Sequence, residues 1–554
     1  MRALTACLGL TLLMSGCQAP DQSFDLIVRG GTVYDGLSTE PQRVDVGVRG
    51  DRITALGDLS AARAGREINA GGLVVAPGFI DVQGQSGTTL LVDGNGESHL
   101  RQGITTEIIG EASSPAFWTP QTADADALRP FGIVVDWTGF DGYFARLQQS
   151  GVAINLGTLV PATMVRREIL GLENRAPSPE ELQRMEAMVE EAMKSGAFGL
   201  SSALIYPPGS FAQTGELIAL ARVAARFGGI YATHVRGESF NLMTALDEAI
   251  TIGREADLPV VIFHLKVAAR DNWGSMGEVV AKLREANARG QRVFATMYPY
   301  TAGGTSLAAS LPLWMQEGGR ERMLERLKDP AACARARREI DSTIDGWENL
   351  VRGSGFEGIQ IASVPPAADQ TLVGRRISEV AASRKQDVWT TYFQILQETE
   401  GRAGALYHMM SEEDVTTGLR DSGASIGSDS AAIRREGILA RGSPHPRAYG
   451  TFPRVLAKYV RDDNVLTLGE AIRRMTSTAA AHFRIEERGS ISQGFSADLV
   501  IFDPAAIQDH ATFEQPHQYP TGIHHVIVNG VPVLDPQGLT GARPGQRLYP
   551  RRIQ

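Results

Sequence analysis

The chain has 554 residues, 43% hydrophobic and 21% charged, an ordinary globular composition too long for one small core. The formal net charge is -9 and no basic block stands out, which argues against nucleic acid as a partner. Only Cys7, Cys17 and Cys333 are present, with no C-x-x-C pair, which excludes a cysteine zinc site and argues against a disulfide framework.

At the N-terminus, Arg2 precedes an apolar run from Ala3 to Met14 that is too short to span a bilayer comfortably. Ser15, Gly16 and Cys17 follow, and "LMSGC" resembles the bacterial lipobox. The resemblance implies a signal peptide over residues 1–16, cleavage before Cys17, and a lipid anchor on Cys17 that holds the protein stably at a membrane. Gln18, rather than Asp, comes next. That implies the outer membrane, facing the periplasm; a plain secretory signal, giving a soluble periplasmic or secreted body, is the alternative.

Residues 24–75, within an N-terminal part expected over 17–75, read as short strands broken by glycine-rich turns, as in "FDLIVRGGTVYDG" and "VDVGVRGDRITALG". Residues 485–554 read alike, with "ADLVIFDP" and "HHVIVNGVPVLD". The two ends are expected to form one small β-sandwich domain around a larger body, residues 76–484. That body alternates strand-like runs with helical patterns. The runs are "GFIDVQG", "GITTEIIG", "VAINLGTLV", "GAFGLSSAL", "GIYATHV", "LPVVIFHL", "RVFATMYPY" and "GASIGSDS". Eight strands alternating with helices predict an α/β fold, a (β/α)8 barrel with its functional face at the strands' C-terminal ends. "SPEELQRMEAMVEEAMKSG" predicts a helix capped by Ser178 and ended by Gly196. The seventh and eighth strands lie far apart, predicting an inserted segment at about 303–421.

Four polar residues stand at or just past strand ends: Glu111, His234, His264 and Asp429. One carboxylate, two imidazoles and a further acid suit a catalytic Zn²⁺, which keeps one position open for water and lowers that water's pKa to about 7. A nearby acid then takes a proton and passes it to a leaving amine. Each residue alone has a plainer role: a strand-end histidine that only hydrogen-bonds, a solvated loop acid at Glu111, a helix cap at Asp429. The four in register along one barrel make the metal reading stronger.

The stretches "VVAPGFIDV", "QGITTEIIGE", "GLSSALIYPPG", "THVRGES", "FHLKVAARDNWG", "YPYTAG", "IGSDS" and "HPRAYGTFPRVLAKYV" resemble the amidohydrolase superfamily. More closely, they resemble its D-aminoacylases, the N-acyl-D-amino-acid deacylases, over nearly the whole mature chain. The resemblance implies that His234 and His264 bind a tightly held zinc and that Glu111 takes the place of the cysteine completing that site in many members. It implies Asp429 as general base, within reach of the metal set, and Arg447, Lys266 and Tyr298 at the substrate carboxylate. An arginine engages a carboxylate bidentately. Strand alternation from His264 is expected to aim Lys266 into the same pocket. Tyr206 either walls the pocket, donates to the transition-state oxygen, or simply packs.

The family's first strand normally ends in His-x-His, whereas this chain has Gln83-Gly84-Gln85. Neutral amides bind Zn²⁺ far more weakly than imidazole. One tightly bound zinc is therefore expected, with the second position empty or weak. Gly304 stands near a serine that relatives can use against the carboxylate, leaving Thr305 or Ser306 to supply that contact. The implied reaction is hydrolysis of the amide of an N-acyl-D-amino acid by a zinc-held hydroxide, with Asp429 moving the proton. The competing readings are a related hydrolase of cyclic amides or dipeptides, and an inactive barrel that binds cell-wall fragments.

Overall fold

Val74–Pro77, "VVAP", is apolar at every position because it is buried on both faces. In a strand, alternate side chains point to opposite sides. Val75 enters a core with Leu26, Val28, Val46, Ile53, Leu499 and Ile501, while Val74 and Ala76 enter a second with Phe79, Ile104, Val500 and Phe502. The computed structural model describes residues 23–119, 123, 128–342, 346–420 and 423–551, so the lipobox and Cys17 lie outside the described residues.

The strand belongs to a seven-stranded sheet in the order Gly538–Leu539, Val531–Asp535, Ile523–Val528, Leu499–Phe502, Val74–Pro77, Thr32–Val33, Gln42–Arg43. Strands from the two ends of the chain meet at the antiparallel pairing of Leu499 with Pro77. A four-stranded sheet of Arg52–Gly57, Asp45–Arg49, Ser23–Arg29 and Arg63–Asn69 shares its apolar core. Two borders differ from the predicted ones. Ala76 and Pro77 belong to this sheet, and the barrel starts at Phe79. At the other end, the tail returns to the barrel: Leu548 donates its amide to the Leu156 carbonyl at 2.9 Å and packs with Phe483 and Ile485.

The eight predicted strand runs all contain strands: Phe79–Asp81, Ile104–Ile109, Asn155–Thr158 (resuming at Val160–Pro161), Gly199–Ala203, Ile230–His234, Val260–Ile262, Val293–Met297 and Ala424–Ile426. Neighbours pair in parallel in this order, and a parallel bridge from Gly84 to Ser430 joins the eighth back to the first. Ile80, Ile108, Phe198, Ala232 and Val261 form the interior with Phe483. Helix Pro179–Lys194 follows the third strand, with the full capping box of Ser178 and Glu181.

The inserted segment carries its own core, including Leu307, Met315, Ile340, Ile359, Tyr392 and Tyr407. Ala302–Ser306, Gly404–His408 and Ile359–Ser363 form a three-stranded antiparallel sheet, with the second strand in the middle. The segment is shorter than predicted at its far end, because helix Glu412–Arg420 packs on Met276–Ala288 as one of the barrel's own helices. Among the described residues no helix is long and apolar enough to cross a membrane.

Candidate active site

Glu111, at the turn after the second strand, organises the site. Its Oε1 lies 3.2 Å from His234 Nδ1 and 3.2 Å from His264 Nε2. Its Oε2 accepts hydrogen bonds from Gln83 Nε2 at 3.0 Å and Gln85 Nε2 at 3.1 Å. Burial pushes the Glu111 carboxyl up, but the imidazoles of His264 and His234 outweigh it and hold the group well below the usual range. Glu111, His234 and His264 each offer a ligand atom, all within 4.8 Å of one another. A tetrahedral site with ligands at 2.0–2.1 Å has edges of about 3.3 Å. The two 3.2 Å contacts match that edge, so this donor set fits a small divalent ion.

Gln83 and Gln85 lie beyond the first strand, which ends at Asp81. Gln83 is buried and also braces the sixth-strand turn, where its Oε1 accepts from Thr296 Oγ1 at 2.6 Å and from the His264 amide at 3.1 Å. Thr296 Oγ1 also accepts from that amide at 2.7 Å.

His264 and Lys266 reach the cavity by a different route from the predicted one. The sixth strand ends at Ile262, and His264 has φ +37°, so strand alternation no longer applies. Left-handed backbone at a non-glycine residue is strained, and such strain collects at functional sites. Asp429, at φ +49°, is a second case.

Asp429 is not within the group of three converging donors. Its Oδ2 lies 2.7 Å from Arg447 Nη1, and its Oδ1 lies 3.4 Å from Gln85 Nε2. Arg447 is buried and sits over the Tyr298 ring at 4.8 Å. The Tyr298 hydroxyl is buried with no hydrogen-bond partner among the described residues. Tyr206 stands edge-on to His234, with ring centroids 5.5 Å apart, and burial holds its phenol above the usual range. Thr305 lines the cavity, whereas Ser306 is exposed and caps Ala308.

Several site residues give no signal in the sequence alone. Glu238, four residues after His234 in "THVRGES", is buried between the cations. Its Oε1 lies 3.0 Å from His264 Nδ1 and also accepts from Lys266 Nζ. Burial pushes the Glu238 carboxyl up, but His234 and Lys266 outweigh it. Burial and the Lys266 ammonium push His264 down, yet Glu238 and Glu111 raise it to about 9. Glu348, from the inserted segment, accepts from the Glu238 amide at 2.8 Å. Beneath the site, buried Asp81 accepts from the amides of Gln83 at 3.1 Å and Ser428 at 3.0 Å, so one carboxylate ties the Gln83 turn to the Asp429 turn. Burial raises Asp81 to about 6.

Glu111, His234, Glu238, His264, Asp429 and Arg447 line a cavity of about 250 Å³ at the strands' C-terminal ends, with Ile205, Leu350 and Met409 as apolar walls. The eight-stranded parallel fold carries a Glu/His/His group at its strand ends, and the model described as "Amidohydrolase family" matches residues 66–534, which makes the chain an amidohydrolase. D-aminoacylase from Alcaligenes xylosoxydans xylosoxydans is 38% identical over 534 residues, covering 96% of this chain and 99% of that one. A structure of N-acyl-D-glutamate deacylase from Bordetella bronchiseptica, complexed with zinc and a phosphonate mimic of the tetrahedral intermediate, superposes with TM-score 0.80. It is 31% identical over 95% of this chain and 100% of its own. A D-aminoacylase structure described for its binuclear metal centre, with one-metal activation and second-metal attenuation, has TM-score 0.79 and 35% identity over 95% and 100% of the two chains. The chain belongs to the D-aminoacylase (N-acyl-D-amino-acid deacylase) family of the amidohydrolase superfamily, amidohydrolases that act on linear amides.

Proposed function

We propose that this protein hydrolyses the amide bond of N-acyl-D-amino acids with one zinc ion held by Glu111, His234 and His264. The convergence of the three donors, with Glu111 Oε1 3.2 Å from each imidazole, beside the buried Arg447, is the observation that carries this reading. Zinc held there supplies Lewis acidity to the amide carbonyl. The one-metal activation described for the D-aminoacylase relative agrees with a site whose second position carries amides instead of imidazoles.

The chain's own groups divide the remaining work. Glu238 Oε1, 3.0 Å from His264 Nδ1, and Lys266 Nζ, 2.8 Å from the same nitrogen, hold the ring with Nε2 facing Glu111 and the ion. Arg447 holds the substrate carboxylate. The carboxylate competes with Asp429 for the guanidinium, and the released Asp429 takes a proton from water and returns it to the leaving nitrogen. The Tyr298 hydroxyl, unpartnered among the described residues, donates to the same carboxylate, and Tyr206, kept protonated by burial, donates to the developing oxyanion.

Charge narrows the substrate class. Lys266 and Arg447 are the Lys and Arg side chains among the described lining residues, facing Glu111, Glu238 and Asp429. A divalent ion turns that balance into a single positive charge, which one carboxylate neutralises. A free α-carboxylate with an uncharged side chain against Ile205, Leu350 and Met409 suits this better than a dicarboxylate or a cyclic amide. A lipid anchor at Cys17, on the periplasmic face of the outer membrane, belongs to the same proposal and rests on "LMSGC".

The test is a panel of N-acyl-D- and N-acyl-L-amino acids assayed with and without added Zn²⁺, beside metal analysis of the purified protein. About one zinc per chain with D-selective turnover is expected from a three-ligand catalytic site. Gln83 and Gln85 favour one other reading, an inactive barrel that binds cell-wall fragments. Absence of both metal and turnover would select it.

A further inference from the structure

A second cavity, about 740 Å³, lies beside the catalytic one. Its walls include Phe117, Trp118, Met164, Leu172 and Met188, all half-buried, and the buried Pro208. Its charged borders, Arg167, Glu168 and Glu191, are exposed, so the charge sits toward solvent. The volume falls within the roughly 300–1,000 Å³ that encloses a drug-sized ligand.

Two features join it to the active site. Ala112, directly after Glu111, lines both cavities. The turn after the fourth strand also serves both, with Tyr206 facing the catalytic cavity and Pro207 and Pro208 the second.

The order of strands around the barrel gives the direction. Lys266, Tyr298 and Arg447 follow the sixth, seventh and eighth strands, so the carboxylate end of a substrate lies on that side. The second cavity is built from segments that follow the second, third and fourth strands, on the opposite side. Its third-strand contribution includes helix Pro179–Lys194, which presents Met188. A substrate whose amide carbonyl meets Glu111, His234 and His264, and whose carboxylate meets Arg447, carries its acyl tail away from Arg447 toward Ala112.

We propose that this second cavity is an acyl-chain subsite, and that the preferred substrates are N-acyl-D-amino acids with medium or long saturated acyl chains. This rests on the deacylase reading. No new bond chemistry is involved: water cleaves the same amide, and the product acid is a fatty acid instead of acetate. The driving force is removal of methylenes from water, which accumulates along the chain.

The experiment compares N-acetyl-, N-hexanoyl- and N-decanoyl-D-leucine as substrates for the parent enzyme and for Met188→Glu and Leu172→Glu, neither of which touches the reacting atoms. In the parent, kcat/KM should rise from acetyl to decanoyl by at least about a hundredfold, a modest share of the transfer free energy of the added methylenes. Each variant should lose at least about tenfold of that gain, since a carboxylate in an apolar channel opposes entry of the chain. Turnover of the acetyl substrate reports that a variant is folded and should stay near the parent value. Equal kcat/KM for acetyl and decanoyl substrates in the parent overturns the subsite and leaves the deacylase reading standing. A decanoyl preference that neither variant reduces places the chain elsewhere and also overturns it. Turnover of none of the three substrates overturns both readings.

Discussion

Replacing Gln83 with leucine tests whether the amides just beyond the first strand serve the proposed metal site. The Gln83 side chain makes three contacts: Nε2 to Glu111 Oε2 at 3.0 Å, and Oε1 from Thr296 Oγ1 at 2.6 Å and the His264 amide at 3.1 Å. In Gln83→Leu, the His264 amide keeps Thr296 Oγ1 at 2.7 Å and Glu111 keeps Gln85 at 3.1 Å. What is lost is one buried hydroxyl's acceptor, about 1–3 kcal/mol, and one hydrogen bond to a carboxylate, about 1.5–3 kcal/mol. The second loss bears on the metal, because it frees Glu111 to rotate away from the histidines. Removing a group that orients a metal ligand typically weakens affinity by about 10–100-fold, or about 1.4–2.8 kcal/mol. Zinc affinity measured by competition with a chromogenic chelator should fall by that much in Gln83→Leu. Thr296→Val, which leaves Glu111 untouched, should show a smaller loss. Parent-like affinity in Gln83→Leu would refute the idea that the amide orients Glu111.

Two further outcomes follow from the same geometry. Asp429→Asn should retain zinc, because Asp429 is outside the three-donor group, while turnover falls by about 10²–10⁴-fold, the usual contribution of a positioned acid or base; near-parent turnover would remove Asp429 from proton transfer. His482, stacked on Phe294 at 4.0 Å, is pushed down from 6.5 to about 4 by burial and by Arg473. Between those values the unfolded chain binds more protons than the folded one, so stability is full above pH 6.5 and is lost as the pH falls toward 4, by up to about 3 kcal/mol. Thermal unfolding from about pH 7 to about pH 4.5 should therefore show a shallower decline in His482→Phe, and identical slopes would show that His482 does not contribute.

The sequence was most informative where its signals are local. Each barrel strand is an apolar run bounded by turn residues, and the Ser178 cap lies three residues from its Glu181 partner. The acids and imidazoles at the strand ends carry the metal reading for the same reason. Signals failed where contacts cross the chain. Glu348 and the Glu238 amide it binds are 110 residues apart. Asp81, in "GFIDV", has its role only because the first and eighth strands are neighbours in a closed ring. Lys266 reached its place for a reason the sequence does not contain, since the left-handed turn at His264 replaces the alternation that predicted it. The inserted sheet was hidden because Ala302–Ser306, "AGGTS", is small and polar where strand patterns look for alternating apolar residues.

The two-faced strand Val74–Pro77 has a consequence for the birth of the molecule. During synthesis it emerges early, beside Thr32–Val33, while its other partner, Leu499–Phe502, leaves the ribosome only after the barrel and the inserted segment have been made. Until then one edge of an apolar strand waits without a neighbour, the kind of surface that captures other chains. A chain terminated before Leu499 keeps all the groups around Glu111, His234, His264 and Arg447, yet never closes that edge. Such truncations are expected to aggregate although the cluster around Glu111 is complete in sequence.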